Sequence, residues 1–207
     1  MLLVLTGITI VCVGILAMVN ELTKEPIAAA NAKALSDAVS AVVPGFDNDP
    51  IAEKKPQVVD GVEFTIYPAM KGGEFIGAAV ESTAMGFGGD LTILVGFNKD
   101  GQINDYSLLS HAETPGLGAK ADTWFKSGNK GDITGKSPKD GALTVSKDGG
   151  QVDAITASTI TSRAFLKAVN AAYAAFSGQA VDGATGATQQ TTSQAIVSSD
   201  TVKGAAN

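Results

Sequence analysis

The sequence predicts an α+β fold, in which an N-terminal transmembrane helix precedes a compact domain of short antiparallel strands with flanking helices. Three observations support this prediction. Residues 1–19 carry no charge, the chain up to Val152 shows short strand patterns separated by turn signals, and residues 162–176 have apolar side chains at helical spacing. The part of the chain that follows the first helix is therefore expected to form one small globular domain.

The N-terminal segment is long enough to cross a membrane. As a helix, residues 1–19 would extend for about 28 Å, close to the thickness of the hydrocarbon core. A cleavable signal peptide is the alternative, and Ala28, Ala29 and Ala30 could provide its small-residue cleavage site. Such peptides begin with basic residues, whereas the only nearby one here is Lys24, beyond the apolar run. We therefore predict an uncleaved, single-pass anchor.

A second, separate helix is predicted after the anchor. Residues 27–43 are rich in alanine, and Leu35, Val39 and Val42 recur at roughly helical spacing. Pro26 suits the first turn of such a helix, where its missing N–H is of little consequence. The Pro-Gly pair at 44–45 is expected to end it.

The clearest strand signal is a hairpin. Residues 91–97 and 102–109 are β-like and flank an Asp-Gly pair, which is typical of tight hairpin turns. Three further strands are predicted at residues 64–68, 75–83 and 142–145.

These patterns divide the chain into four parts. We predict an anchor at residues 1–22, an amphipathic helix and linker at 23–50, the globular domain at 51–177, and a low-complexity tail at 178–207 that is rich in Gly, Ala, Ser, Thr and Gln.

Composition excludes two classes of function. The net charge is −6 and no run of Lys or Arg occurs, so a nucleic-acid-binding role is not expected. One Cys and one His cannot form a zinc site of the usual Cys/His kind, and no metal site is predicted. Cys12, being the only cysteine, cannot form an internal disulfide.

Two motifs carry candidate chemistry. Residues 153–162 place several Ser and Thr residues directly before the last helix. Hydroxyl groups there are usually N-caps, and the residues alone favour that interpretation. The start of a helix is also a binding site for phosphate, so a ligand site remains open. Residues 110–120 contain a Pro-Gly turn after a strand, and by themselves indicate only a turn with His111 at a strand end.

Together, the motifs resemble those of the FMN-binding domain family, which includes the G subunit of the Rnf electron-transport complex and the C subunit of the sodium-translocating quinone reductase. Residues 153–161 resemble the signature Asp-x-x-Ser/Thr-Gly/Ala-Ala/Ser-Thr-x-Thr, whose core threonine bears FMN through a phosphoester bond. The matching residue is Thr159. Ala157 stands where glycine is common, and Ser158 where alanine is common.

The second motif, His-x-Glu-Thr-Pro-Gly-Leu-Gly, resembles a loop that precedes the flavin threonine in the same family. Residues 86–91 and 22–27 also resemble family segments. The resemblance implies that both motifs contact one flavin, with Glu113, Thr114 and the loop amides bonded to the edge of its ring. The predicted cofactor-binding residues besides Thr159 are Thr156, Ser158, Thr161, Ser162, His111, Glu113, Thr114, Gly116, Leu117 and Gly118.

The resemblance further implies a function. It predicts a redox subunit, not catalytic alone, of an ion-translocating ferredoxin:NAD oxidoreductase in the cell (inner) membrane, with its FMN domain on the extracytoplasmic side. Implied partners are the other membrane and iron–sulfur subunits, and a separate flavin transferase that uses FAD and a divalent metal. The alternatives are the C subunit of the quinone reductase, which usually has a longer soluble domain, and a membrane-anchored FMN-binding regulatory module.

A second possible attachment site lies in the tail. Residues 182–188 also fit the modification pattern, with Thr188 as the acceptor. They lack the following x-Thr and a periodic helix, so Thr159 is the predicted site.

Overall fold

The computed structural model describes residues 2–59 and 61–178. The tail segment containing Thr188 lies outside the described residues. The elements are helix α1 (Leu2–Val42), strands β1 (Lys55–Val59), β2 (Val62–Lys71), β3 (Glu74–Met85), β4 (Asp90–Asn98) and β5 (Ile103–His111), the short helix α2 (Ala121–Trp124) and helix α3 (Thr159–Ser177). This is the predicted α+β architecture.

The five strands form one antiparallel sheet in the order β1-β2-β3-β4-β5, with each strand paired to its neighbour in sequence. The predicted hairpin is confirmed as β4 and β5. Its turn is closed by a 3.0 Å hydrogen bond from the N–H of Gly101 to the carbonyl of Asn98. Gly101 has φ +79°, the left-handed conformation that glycine adopts without strain.

One strand was missed, and one predicted strand was wrong. Strand β1 was not predicted, because Lys, Pro and Gln occupy its first three positions and it is a largely exposed edge strand. Residues 142–145 do not form a strand, since Val145 makes only an isolated bridge with Val152. Both valines are buried in the core, so the apolar pattern there reflects packing by an irregular segment.

The anchor and the second predicted helix form one continuous helix. Helix α1 has 41 residues and contains Pro26 in its interior, so the prediction that Pro26 begins a new helix was wrong. Proline has no N–H to donate to the carbonyl of Leu22, four residues earlier. The helix is exposed on this stretch, so water can bond to that carbonyl in place of the missing partner.

The two ends of the fold meet opposite faces of the sheet. The last turns of α1, with Val39 and Val42, pack against Tyr67 and Leu94 on one face. A Cβ at Gly96 would clash with the carbonyl oxygen of Val42, so glycine permits this close approach. Helix α3 covers the other face in a larger core, whose main side chains are Phe165, Leu166 and Val169 against Ile93, Val95 and Phe97.

Most of α1, from its N-terminal end, makes no such contacts. Residues 4–34 are exposed along their whole length, although residues 4–19 are almost entirely apolar. Within the described residues, α1 is the one helix long and apolar enough to cross a membrane. Lipid would cover the apolar surface that the protein itself leaves bare.

Candidate functional site

A pocket of about 380 Å³ lies between the start of α3 and two loops. The first loop, residues 86–89, joins β3 to β4, and the second, residues 112–120, follows β5. Antiparallel pairing brings both loops to one end of the sheet. The pocket is lined by Phe87, Glu113, Thr114, Leu117, Gly118, Ala157, Ser158, Thr159, Ile160 and Thr161.

The two sequence motifs meet at this pocket although they are far apart in the chain. The predicted residues that line it are Glu113, Thr114, Leu117, Gly118, Ser158, Thr159 and Thr161. The predicted residues outside its lining are His111, Gly116, Thr156 and Ser162. Phe87, Ala157 and Ile160 line it although they were not predicted as site residues.

The start of α3 presents backbone donors to the pocket. Ser158 is the N-cap residue, but its side chain makes no capping hydrogen bond. The first backbone bond of the helix runs from the N–H of Ser162 to the carbonyl of Ser158, at 3.0 Å. The N–H groups of the first turn have no acceptor within the helix. Together with the helix dipole, they favour an anion at this end.

Thr159 is the hydroxyl residue at this helix start that both lines the pocket and is partly exposed. It is half-buried, and its Oγ accepts a hydrogen bond of 3.1 Å from Nζ of Lys147. No sequence pattern predicted this contact, since Lys147 is exposed and lies 12 residues before Thr159, outside both motifs.

An ion pair positions the segment that carries Lys147. Residues Ser146–Asp148 form a single helical turn, and Asp148 accepts two hydrogen bonds of 2.7 Å from the guanidinium of Arg163. The Asp148 side chain is only 2% exposed and that of Arg163 is 15% exposed. Hydrogen bonds from Arg163 hold the pKa of Asp148 below its ordinary value. The turn is therefore fixed to the first turns of α3.

Ser162 and Ala157 shape the turn that leads into α3. The Ser162 hydroxyl is fully buried, donates to the carbonyl of Ser158 and accepts from the N–H of Ile155, both at 2.9 Å. Ala157 has φ +62°, the one left-handed residue other than glycine in the described chain. Thr156 is exposed in the same turn.

Glu113 connects the walls of the pocket. Its side chain is buried, and Oε1 accepts from the N–H groups of Phe87 (2.7 Å) and Gly88 (3.3 Å). Its Oε2 accepts from the hydroxyl of Thr161 at 2.7 Å. A Cβ at Gly118 would clash with this carboxylate, so glycine is required beside it. The carboxylate thus joins both loops to α3.

The outer rim of the pocket is apolar. Phe87 is 69% exposed and Leu117 is 42% exposed, so both present apolar surface at the mouth of the pocket. His111 is also exposed, and its Nδ1 accepts a 3.2 Å hydrogen bond from the N–H of Glu113. Gly116, at φ +77°, forms the tip of the turn. The described residues contain no cluster of His, Cys, Asp or Glu that could hold a metal ion.

Comparison with known proteins identifies two family matches along the chain. The family described as FMN-binding domain matches residues 86–174, and the family described as RnfG N-terminal region matches residues 3–42. The G subunit of the ion-translocating oxidoreductase complex of Shewanella piezotolerans is 33% identical, over 79% of this chain and 82% of that protein. The chain belongs to this RnfG family.

Two further members of the RnfG family show similar agreement. The protein of Aliivibrio fischeri is 35% identical over 82% of this chain and 86% of its own length. That of Yersinia pestis is 38% identical over 75% of this chain and 79% of its own length. The family resemblance predicted from the two motifs is confirmed.

The residues of the pocket fit an FMN group. The uncapped start of α3 suits its phosphate, and the apolar rim of Phe87 and Leu117 suits a flat ring. The volume of about 380 Å³ is within the range of small-molecule sites, which begin at about 300 Å³.

Proposed function

We propose that this protein is a membrane-anchored electron-transfer subunit of an Rnf-type complex, and that its FMN is attached to Thr159 by a phosphoester bond. The observation that carries the proposal is the position of the Thr159 hydroxyl, which lies at an uncapped helix start inside a pocket. A phosphate bound covalently at that position would lie next to the backbone amides that favour it.

The neighbouring hydroxyl groups are less suited to attachment. Those of Thr161 and Ser162 are buried, and each is a hydrogen-bond donor to a protein oxygen. Thr156 is exposed but does not line the pocket. Thr159 combines partial exposure with a place in the lining, which supports it as the acceptor.

Each wall of the pocket has a separate task in this proposal. The amides at the start of α3 would hold the phosphate, and Phe87 and Leu117 would pack against the ring. Glu113 would keep the walls together, because its carboxylate oxygens already accept bonds from both sides. FMN itself supplies the redox chemistry, accepting and giving up electrons.

Assembly and maturation would require other proteins. We infer that a flavin transferase using FAD and a divalent metal makes the bond, and that the membrane and iron–sulfur subunits of the complex exchange electrons with this one. The chain would be a redox subunit and not an enzyme alone, with its FMN domain on the extracytoplasmic side of the cell membrane. The RnfG relatives favour this role over that of the quinone reductase's C subunit.

The deciding experiment is peptide mapping of the full-length protein produced with its flavin transferase. We expect one FMN per chain, on the peptide containing Thr159, and flavin fluorescence that persists in a denaturing gel. An adduct located entirely on Thr188, with Thr159 unmodified, would refute the assignment. A complex that reduces NAD with ferredoxin at the normal rate without this flavin would instead support the regulatory-module alternative.

A further inference from the structure

We propose that Lys147 is a positioning residue for flavin attachment: its ammonium group orients the Thr159 hydroxyl before the phosphoryl transfer and pairs with the attached phosphate afterwards. This inference rests on the proposed attachment at Thr159. It concerns a residue that lies outside both sequence motifs and outside the pocket lining.

The hydrogen bond between the two residues sets the direction of the Thr159 hydroxyl. Because Nζ of Lys147 donates to Oγ at 3.1 Å, one lone pair of Oγ is occupied and its own hydrogen must point elsewhere. The second lone pair remains available to attack phosphorus. The lysine thus selects the orientation in which Thr159 acts as a nucleophile.

The lysine is held in place by the fold. Its neighbour Asp148 is fixed to Arg163 by two hydrogen bonds of 2.7 Å, and Arg163 belongs to the first turns of α3, four residues after Thr159. The one-turn helix Ser146–Asp148 is consequently anchored beside the start of α3. The long lysine side chain therefore has a fixed base from which its ammonium group reaches Thr159.

The chemistry of transfer gives that ammonium group two effects. The Oγ–P bond of Thr159 forms while the P–O bond of the pyrophosphate in the flavin dinucleotide breaks, and AMP leaves with the bonding electrons. Negative charge increases around phosphorus during this exchange, and a nearby cation stabilises it. Since the phosphate ends one covalent bond from Oγ, it remains within ion-pairing reach of Lys147.

The hydroxyl proton must go to a base, and the pocket does not provide one. Lys147 already donates to Oγ, and the carboxylate of Glu113 accepts bonds from Phe87, Gly88 and Thr161. The base is therefore supplied by the transferase. Lys147 contributes position and charge only.

The test uses the full-length protein in detergent with purified transferase, FAD and divalent metal. Lys147→Gln removes the charge, and Lys147→Arg retains it. Lys139→Gln is a matched control, because Lys139 is also the exposed central residue of a one-turn helix, Pro138–Asp140, and is also followed by aspartate. That turn lies near Gly101, at the opposite end of the sheet, where Ser137 bonds to the Gly101 carbonyl.

We expect Lys147→Gln to lower the kcat of FMN incorporation by about tenfold, since an exposed ammonium group contributes less than a buried donor. Its KM should change by less than about twofold. Lys147→Arg should recover most of the rate, and Lys139→Gln should behave as wild type. Equal kcat for Lys147→Gln and wild type, or a change in KM alone, would overturn the inference.

A second measurement examines the attached phosphate directly. After prolonged incubation to load each variant, the ³¹P NMR signal of the phosphoester should shift between wild type and Lys147→Gln, and not in Lys139→Gln. An unchanged signal in all three would overturn the proposed ion pair. The two proposals fail separately: wild-type protein that is not modified at Thr159 refutes the attachment site, whereas modification of Lys147→Gln at the wild-type rate refutes only the role of the lysine.

Discussion

The two walls of the pocket use their polar groups in opposite ways. The helix wall, residues 157–161, directs Thr159 and the first-turn amides of α3 towards the pocket. The loop wall, residues 86–89 and 112–118, presents Phe87 and Leu117 and keeps its carboxylate engaged with protein donors. The helix wall suits the phosphate of FMN, and the loop wall suits its ring. Because the Glu113 carboxylate of the loop wall is already bonded to protein donors, a polar residue of a motif is not necessarily a ligand contact.

Thr159 and Thr161 provide the sharpest test of this comparison, since they belong to the same motif but have different partners. Thr159→Ala should abolish covalent FMN and change the free energy of unfolding by no more than about 0.5 kcal/mol. Thr161→Ala should keep covalent FMN and lose about 2 kcal/mol, because it leaves a buried carboxylate oxygen without its donor. Flavin content by intact mass and urea unfolding would measure both effects.

The same pair of variants can contradict the assignment of roles. If Thr161→Ala lost its flavin while Thr159→Ala kept it, the acceptor and the structural hydroxyl would be exchanged. If both variants lost stability equally, the distinction between the two walls would not hold.

Glu113 tests whether the polar centre of the loop wall is structural. Glu113→Ala should reduce the free energy of unfolding by about 3 kcal/mol, because it deprives two backbone N–H groups and the Thr161 hydroxyl of their acceptor. Covalent attachment should persist at least in part, since Thr159 is unaltered. Thermal or urea unfolding with flavin quantification would measure this.

Glu113→Gln is the control for shape. It retains one acceptor oxygen for the backbone N–H groups, and its amide N–H can donate to the Thr161 hydroxyl, whose own hydrogen then loses its acceptor, so the loss of stability should be intermediate. A Glu113→Ala protein that is as stable as wild type would show that the carboxylate does not hold the walls together.

The ion pair behind the helix wall predicts a dependence of stability on pH. Arg163 lowers the pKa of Asp148 below its ordinary value of 3.8, so this carboxylate stabilises the fold above that pH and the contribution is lost as pH falls through the lowered pKa. Arg163→Gln should cost about 2 kcal/mol at pH 7, because it leaves a nearly buried carboxylate unpaired. Urea unfolding across pH would follow the difference.

The difference between wild type and Arg163→Gln should shrink as pH falls below about 4, where Asp148 becomes protonated. Curves that stay parallel to low pH would mean that Arg163 stabilises the fold through packing and not through Asp148.

Much of this structure follows from local sequence signals, and the rest depends on long-range contacts. The Asp-Gly turn identified the β4–β5 hairpin, and the hydroxyl-rich motif identified the start of α3. Pro26 misled the prediction of α1, because an exposed helix tolerates a missing hydrogen bond where a buried one does not. The apolar side chains at 145 and 152 are buried, as their character indicates, but that character does not distinguish a strand from the irregular backbone found there.

Within the site, the sequence identified residue types but not the direction of their side chains. Glu113 is predicted to contact the edge of the flavin ring, and the structure adds that its oxygens accept hydrogen bonds from Phe87, Gly88 and Thr161. Lys147 reaches Thr159 only because the ion pair of Asp148 fixes its segment, and no local pattern encodes that contact. The family resemblance identified the motifs, and the tertiary structure then showed which hydrogen bonds their side chains make.

Ala157 gives the smallest predicted effect and tests the backbone of the helix wall. At φ +62° its Cβ is strained by about 1 kcal/mol, and glycine would remove that strain. Glycine also increases the entropy of the unfolded chain, so Ala157→Gly should stabilise the protein by only about 0.5 kcal/mol.

Ala142→Gly is the matched control, because Ala142 is likewise exposed and outside any helix or strand, but without a left-handed backbone. That control should be destabilised by a similar amount. Urea unfolding of both variants would measure the contrast, and FMN incorporation should stay normal in each, since neither change removes a donor or acceptor side chain. If Ala157→Gly were destabilised as much as the control, residue 157 would not be left-handed in solution, and the turn that presents Thr159 would have a different backbone conformation.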